Sequence, residues 1–147
     1  LDVLVERVLP LPRARVADYA MDWRHDVEWT QGIDSVELTA EADGGGYGTG
    51  AEVTRTTYFL GRRIDYVFLV VAHEPQARLA LRSVAGPFPM RVTYRFEDHP
   101  GGTLASIAVD GDVPGYLRLG APALRLLIRS NARRDLRMLA ENLTREA

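Results

Sequence analysis

Cysteine is missing from all 147 residues, which excludes disulfide staples, thiolate metal ligands and a cysteine nucleophile. Its absence fits a reducing compartment, so a cytoplasmic location is expected. Lysine is missing too, since all 18 basic residues are arginine. That removes the P-loop lysine, Schiff-base chemistry and an amine nucleophile. Arginine-only usage points to a coding bias, so the arginines count for little as phosphate ligands, and a formal net charge of −2 gives no electrostatic case for nucleic acid as a partner. No run of 18 apolar residues exists, and the opening residues 1–16 are broken by Glu6, Arg7, Pro10 and Pro12. They read as neither a signal peptide nor a membrane span, and no stable membrane insertion is expected.

What is present fits one domain over residues 1–147, long enough to bury roughly two thirds of its unfolded surface. Residues 3–9 read as a strand that ends where Pro10 and Pro12 remove backbone donors. The spacing of Val16, Tyr19 and Ala20 predicts a short helix over 13–21, and a second is predicted over 22–29, with Trp23, Val27 and Asp26 on one face. Between residues 33 and 113, turn signals at 44–50, 60–61, 74–75, 85–87 and 99–102 separate six strands. Over 90–97 the even positions are apolar and the odd ones polar, as in a sheet with one dry face. Asp65 implies that Ile64, Tyr66, Phe68 and Val70 point inward; in the last strand Thr103, Ala105, Ile107 and Val109 do so, leaving Asp110 in water. The phase of 51–59 stays open.

After Gly115 the pattern turns helical. Leu117, Ala121, Leu124, Ile128 and Asn131 form one stripe, and Ala132, Leu136, Leu139 and Leu143 an adjacent one, with Pro122 in the first turn. Gly46, Gly48 and Ala51 match the G-x-G-x-x-A spacing of a dinucleotide-binding loop, but the β-branched run that follows is a strand. Without a helix N-terminus to hold an anion, these glycines read as a turn between antiparallel strands.

The expected fold is therefore α+β: a curved seven-stranded antiparallel sheet, two short helices after its first strand, and a long C-terminal helix over the dry face. A strongly bent sheet and one helix leave a cavity between them. Its expected walls are Tyr66, Phe68, Met90, Tyr94 and Phe96 from the strands, Leu124, Ile128 and Asn131 from the long helix, and Trp29 and His25 from the short ones. His25 stands among Asp22, Asp26 and Glu28, and reads either as a base steadied by a carboxylate or as part of a solvated surface helix. His73 and His99 fall at a strand end and a hairpin tip. No metal site is expected, because His25 and Glu28 lack a second pair of ligands, and the serines lack the G-x-S-x-G turn of a hydrolase.

The element order, residues 5–12 followed by Val16 and Tyr19, Trp29 ahead of Gly32 and Ile33, the Gly48-Thr49-Gly50 turn, the Gly101-Gly102-Thr103 hairpin and the closing Asp135–Leu139 with Leu143 resemble the START-like, or SRPBCC, superfamily. Within it the chain is most similar to the polyketide cyclase/dehydrase-like branch. The resemblance implies a helix-grip fold, with an elongated cavity for a hydrophobic or aromatic small molecule, lipid- or polyketide-like, and no cofactor. The alternative it allows is a cofactor-independent cyclase or dehydratase in which Tyr66, Tyr94 or His25 moves protons. A partner-binding module would instead show an apolar outer sheet face, against which Arg91, Thr93, Arg95 and Glu97 speak.

Overall fold

The computed structural model describes residues 2–59, 61–87, 89–112 and 115–146. Strand β1 (Asp2–Leu9) is followed by α1 (Arg13–Ala20), a 3-10 turn (Trp23–His25) and α2 (Asp26–Trp29). Then come β2 (Ile33–Ala40), β3 (Glu52–Phe59), β4 (Arg62–Glu74), β5 (Arg78–Ala85), β6 (Met90–His99) and β7 (Gly102–Gly111), and after a 3-10 segment (Gly115–Gly120) the helix α3 (Ala121–Glu146). The strands form one antiparallel sheet in the order β1-β7-β6-β5-β4-β3-β2, so five consecutive hairpins lead back to β1. This is the helix-grip arrangement. Register shifts in the β2–β3 and β4–β5 pairs add local twist, which helps the sheet bend.

Which face each strand buries follows from pairing. Phe68 and Val70 are buried on β4, and Val92, Tyr94 and Phe96 on β6. Because Val53 sits opposite Phe68 and Arg55 opposite Tyr66, β3 turns Ala51, Val53 and Arg55 to the same dry side. The inward set on β7 is Thr103, Ala105, Ile107 and Val109, with Asp110 exposed. At the β6–β7 turn the backbone comes against the end of β1. Gly102 has φ 131°, and a Cβ there would overlap Leu9 O and lie 2.8 Å from Leu11 N. The neighbouring Thr103 Oγ1 donates to Leu11 O at 2.7 Å, so the hairpin tip locks the first strand's exit.

The region after α1 departs from the single short helix expected over 22–29. Asp22 Oδ1 accepts from Arg24 N at 3.0 Å, which tightens the chain into a 3-10 turn before a single α-turn. The side chains are thereby re-aimed: Asp26 and Trp29 are buried, whereas Val27 is exposed and Trp23 half-exposed. Helix α3 packs over β1, with β7 and α2 beside it. Ala132, Leu136, Leu139 and Leu143 are buried, while Leu124, Ile128 and Asn131, expected to face inward from the first half, remain half-exposed. The helix is thus seated firmly at its C-terminal half and stands off at its beginning. Leu117's side chain lies outside the described ones.

Candidate functional site

Residue 55 sits at a position where β3 should carry an apolar side chain, and it is an arginine. Its guanidinium lies over the Phe68 ring, 5.3 Å from the centroid, and Nε and Nη2 donate to Asp26 Oδ2 at 3.3 and 3.0 Å. Nη2 also donates to the Tyr94 hydroxyl at 3.2 Å. Asp26 reaches this point because the 3-10 turn has brought α2 over the concave face. Trp29, one turn on, sets its indole edge-on to Tyr94, with ring centroids 5.7 Å apart. From α3 comes Asp135, whose Oδ1 accepts from Gln31 N at 2.7 Å and whose charge acts on both Arg55 and Tyr94.

The electrostatics of this cluster are those of charges taken out of water. Burial pulls the Arg55 guanidinium down, but Tyr94 and Asp26 more than offset this and hold it above its ordinary value. Burial pushes Asp26 up against the attraction of Arg55, and Tyr94 up in the same way, so Tyr94 stays a phenol at neutral pH. Asp135 is raised by burial to about 6, against the Gln31 N–H and the charges of Arg55 and Arg134.

The cluster holds donors that meet no acceptor among the described residues. Trp29 Nε1 is buried with no partner, although Trp29 is only 2% exposed. Such a group costs roughly 1–3 kcal/mol if nothing meets it. Arg55 Nη1 makes no hydrogen bond among the described residues. The Tyr94 oxygen accepts from Arg55, which leaves its own proton to give. Donors of this kind, set among the rings of Phe68, Trp29 and Tyr94, suit an acceptor oxygen on an apolar or aromatic body.

A surface depression lies beside the short helices. Its volume is about 450 Å³, and it is lined by Met21, Trp23, Leu38, Tyr47, His73 and Gln76, among others. Tyr47 is the wall it shares with the cluster, since Asp26, Arg55 and Tyr94 all act electrostatically on its hydroxyl and burial raises its pKa. The glycine-rich loop that carries Tyr47 holds no phosphate-binding geometry: a strand follows it, and its C-terminal end is fastened to β4 by Gly50 N to Val70 O (2.8 Å) and Val70 N to Ala51 O (2.9 Å). Its positive-φ glycines let the loop fold back and set Tyr47 edge-on to His73 at 5.6 Å.

Of the residues singled out from the sequence, Trp29, Phe68 and Tyr94 meet in this cluster. Tyr66 stacks on Phe68 with centroids 5.7 Å apart, and Phe96 is in the continuous core. Met90 and Ile128 are partly buried against that core, and Leu124 lies at the raised end of α3. Asn131 lines an outer groove with Gln31, Arg129, Arg133 and Arg137. His25 stacks on Tyr19 at 4.3 Å, and its Nδ1 donates to Tyr19 O at 3.1 Å. Glu28 accepts from the Tyr19 hydroxyl at 2.7 Å, and Asn142 donates to Glu28 O at 3.0 Å, so this group ties the short helices to α3. Sequence reasoning missed Arg55, Tyr47 and Asp135, and had Asp26 as a face residue and as one of the carboxylates beside His25. The inward phase of β4, carried across the β3–β4 pair, was the signal that points to Arg55. Among the described residues no cluster of His, Asp and Glu could hold a metal ion.

Residues 1–144 match the family described as polyketide cyclase/dehydrase and lipid transport. The chain belongs to that family. It shares its fold with TTHA0849, a protein of Thermus thermophilus, at 19% identity over 100% of this chain and 99% of that one, with a TM-score of 0.81. A START superfamily protein from Mycobacterium smegmatis is similar at 13% identity, covering 100% and 98%, TM-score 0.77. The Zhui aromatase/cyclase from Streptomyces sp. R1128 is similar at 14% identity, covering 99% and 94%, TM-score 0.75. At these identities the likeness is one of fold. A search of curated proteins finds no match. Among the described residues no helix is long and apolar enough to cross a membrane.

Proposed function

We propose that this START-like domain binds a hydrophobic or aromatic small molecule, lipid- or polyketide-like, that carries a carbonyl or carboxylate oxygen. The observation that supports the reading is the unmet donor set of Trp29 Nε1, Arg55 Nη1 and the Tyr94 hydroxyl within an aromatic surround. Buried donors with no acceptor are costly, and a ligand oxygen would remove that cost. Binding of 9-anthracenecarboxylate and of anthracene, followed by quenching of Trp29 and Trp23 fluorescence, tests it. The carboxylate should bind about tenfold or more tightly than the hydrocarbon, and Arg55→Met should erase the difference. Equal affinity for the two in the parent protein would refute the reading.

An enzymatic reading of the same site has one specific support. Tyr94 is kept protonated by burial while its oxygen accepts from a cation, so it is placed as a proton donor to a carbonyl in a cyclisation or dehydration. Tyr94→Phe separates the two: a binder keeps most of its affinity, whereas a cyclase or dehydratase that binds poly-β-ketone substrate loses turnover with little change in KM.

A further inference from the structure

The outer side of α3 is unlike the rest of the surface. Between Asp112 and Glu141 the chain carries six arginines and a single acid, Asp135, in a protein whose net charge is −2. That acid is buried and engaged with Gln31 N, so the outward charge of the segment is positive throughout. At the start of the same segment, Leu119 is 101% exposed, Leu126 68% and Leu127 57%, with Pro122 and Ala123 exposed among them. Arg125, which falls among the leucines, is turned away to donate to Asp2 O at 3.0 Å.

The two kinds of residue are separated along the helix axis. Leucines occupy its tip, and Arg129, Arg133, Arg134 and Arg137 follow, lining a common groove with Leu126. At about 1.5 Å rise per residue, Leu126 and Arg133 are offset by roughly 10 Å. That is the step from the acyl boundary of a bilayer to its phosphates, into which an interfacial helix sinks about 5–10 Å. We propose that the Gly115–Gly120 segment and the first half of α3 form a reversible docking surface for an anionic membrane, with Leu119, Leu126 and Leu127 entering the acyl boundary and the arginines behind them meeting lipid phosphates. The arginines supply complementary charge, and the leucines distinguish a bilayer from a partner that offers acidic groups alone. The inward side of these same turns carries the half-buried Leu124 and Ile128, where the helix stands off. If the cavity reading above holds, ligand would therefore enter or leave at the membrane-facing end; the docking surface itself does not depend on that reading.

Sedimentation with vesicles of phosphatidylcholine alone, and of phosphatidylcholine with phosphatidylglycerol at 7:3, tests the proposal at low and high salt. The full chain should bind the anionic vesicles about tenfold or more tightly than the neutral ones, and lose that advantage in high salt. The double variants Leu126→Ser/Leu127→Ser and Arg133→Glu/Arg137→Glu should each weaken binding about tenfold while keeping the parent's thermal midpoint, because these side chains are exposed. Leu119→Trp should add a tryptophan emission that shifts to the blue on the anionic vesicles. No binding to them at low salt overturns the proposal. So does undiminished binding by the leucine variant, which would leave the arginines serving an acidic protein or a nucleic acid, or a dimer in gel filtration that the leucine variant dissolves. Uptake of 9-anthracenecarboxylate from solution, measured on the same variants, should be unchanged, so failure of docking and failure of the ligand-binding reading are separate results.

Discussion

Replacing Asp135 by asparagine should stabilise the protein at neutral pH and leave it unchanged in acid. The carboxyl is raised from 3.8 to about 6 by burial, a value that already includes the opposing pull of Gln31 N–H, Arg55 and Arg134. Each pKa unit corresponds to about 1.4 kcal/mol, so ionising this group costs about 3 kcal/mol more in the fold than in the unfolded chain. A raised folded-state pKa means that the associated stability is fully present below about pH 4 and is lost as pH climbs to about 6 and beyond. Asparagine resembles the protonated acid and can still accept from Gln31 N. Urea denaturation of parent and variant should therefore give curves that differ by up to about 3 kcal/mol at pH 7.5 and converge near pH 4; the thermal midpoint should rise by roughly 3 °C per kcal/mol. A variant that is less stable than the parent at pH 7.5, or a difference that does not change between pH 4 and 7.5, would refute the argument that burial dominates over the neighbouring arginines.

Asp26→Ala leaves the Arg55 guanidinium buried without its counter-charge, and should cost about 3–5 kcal/mol by denaturant unfolding. The double change Asp26→Leu/Arg55→Met should cost clearly less than that single one, since it removes both charges from the interior. Gln76 holds φ at 60° in the β4–β5 turn, where a side chain is strained. Gln76→Gly should gain roughly 0.5–1 kcal/mol, because Arg13 binds its backbone oxygen and only a long, exposed bond from its side chain to Asp18 is given up; an unchanged or lowered midpoint would count against strain there. Gly102→Ala should lose at least about 2 kcal/mol, since its Cβ has nowhere to go between Leu9 and Leu11.

Much of the architecture could be read along the chain, because burial imposes a local period. The alternation at 90–97 and the stripe through Ala132, Leu136, Leu139 and Leu143 are properties of neighbouring residues, and the strands and the helix follow them directly. The β-branched run after the glycines was likewise enough to reject a phosphate loop, since a strand has no N-terminal donors to offer.

The site was less legible, for two physical reasons. Strand β3 has polar residues in both phases, so nothing local says whether Arg55 faces water; its hydrogen-bonded pairing with β4 sets that, by placing it opposite Tyr66. Helical spacing over 22–29 put Trp23, Val27 and Asp26 on one face, but the side-chain oxygen of Asp22 tightened the first turn and aimed Asp26 and Trp29 inward instead. Composition and periodicity in the chain thus set the kinds of element and their order. Which charges ended up buried together was settled by contacts between residues up to about a hundred positions apart, such as Gln31 with Asp135 and Arg55 with Asp26 and Tyr94, and no pattern confined to one element encodes those distances.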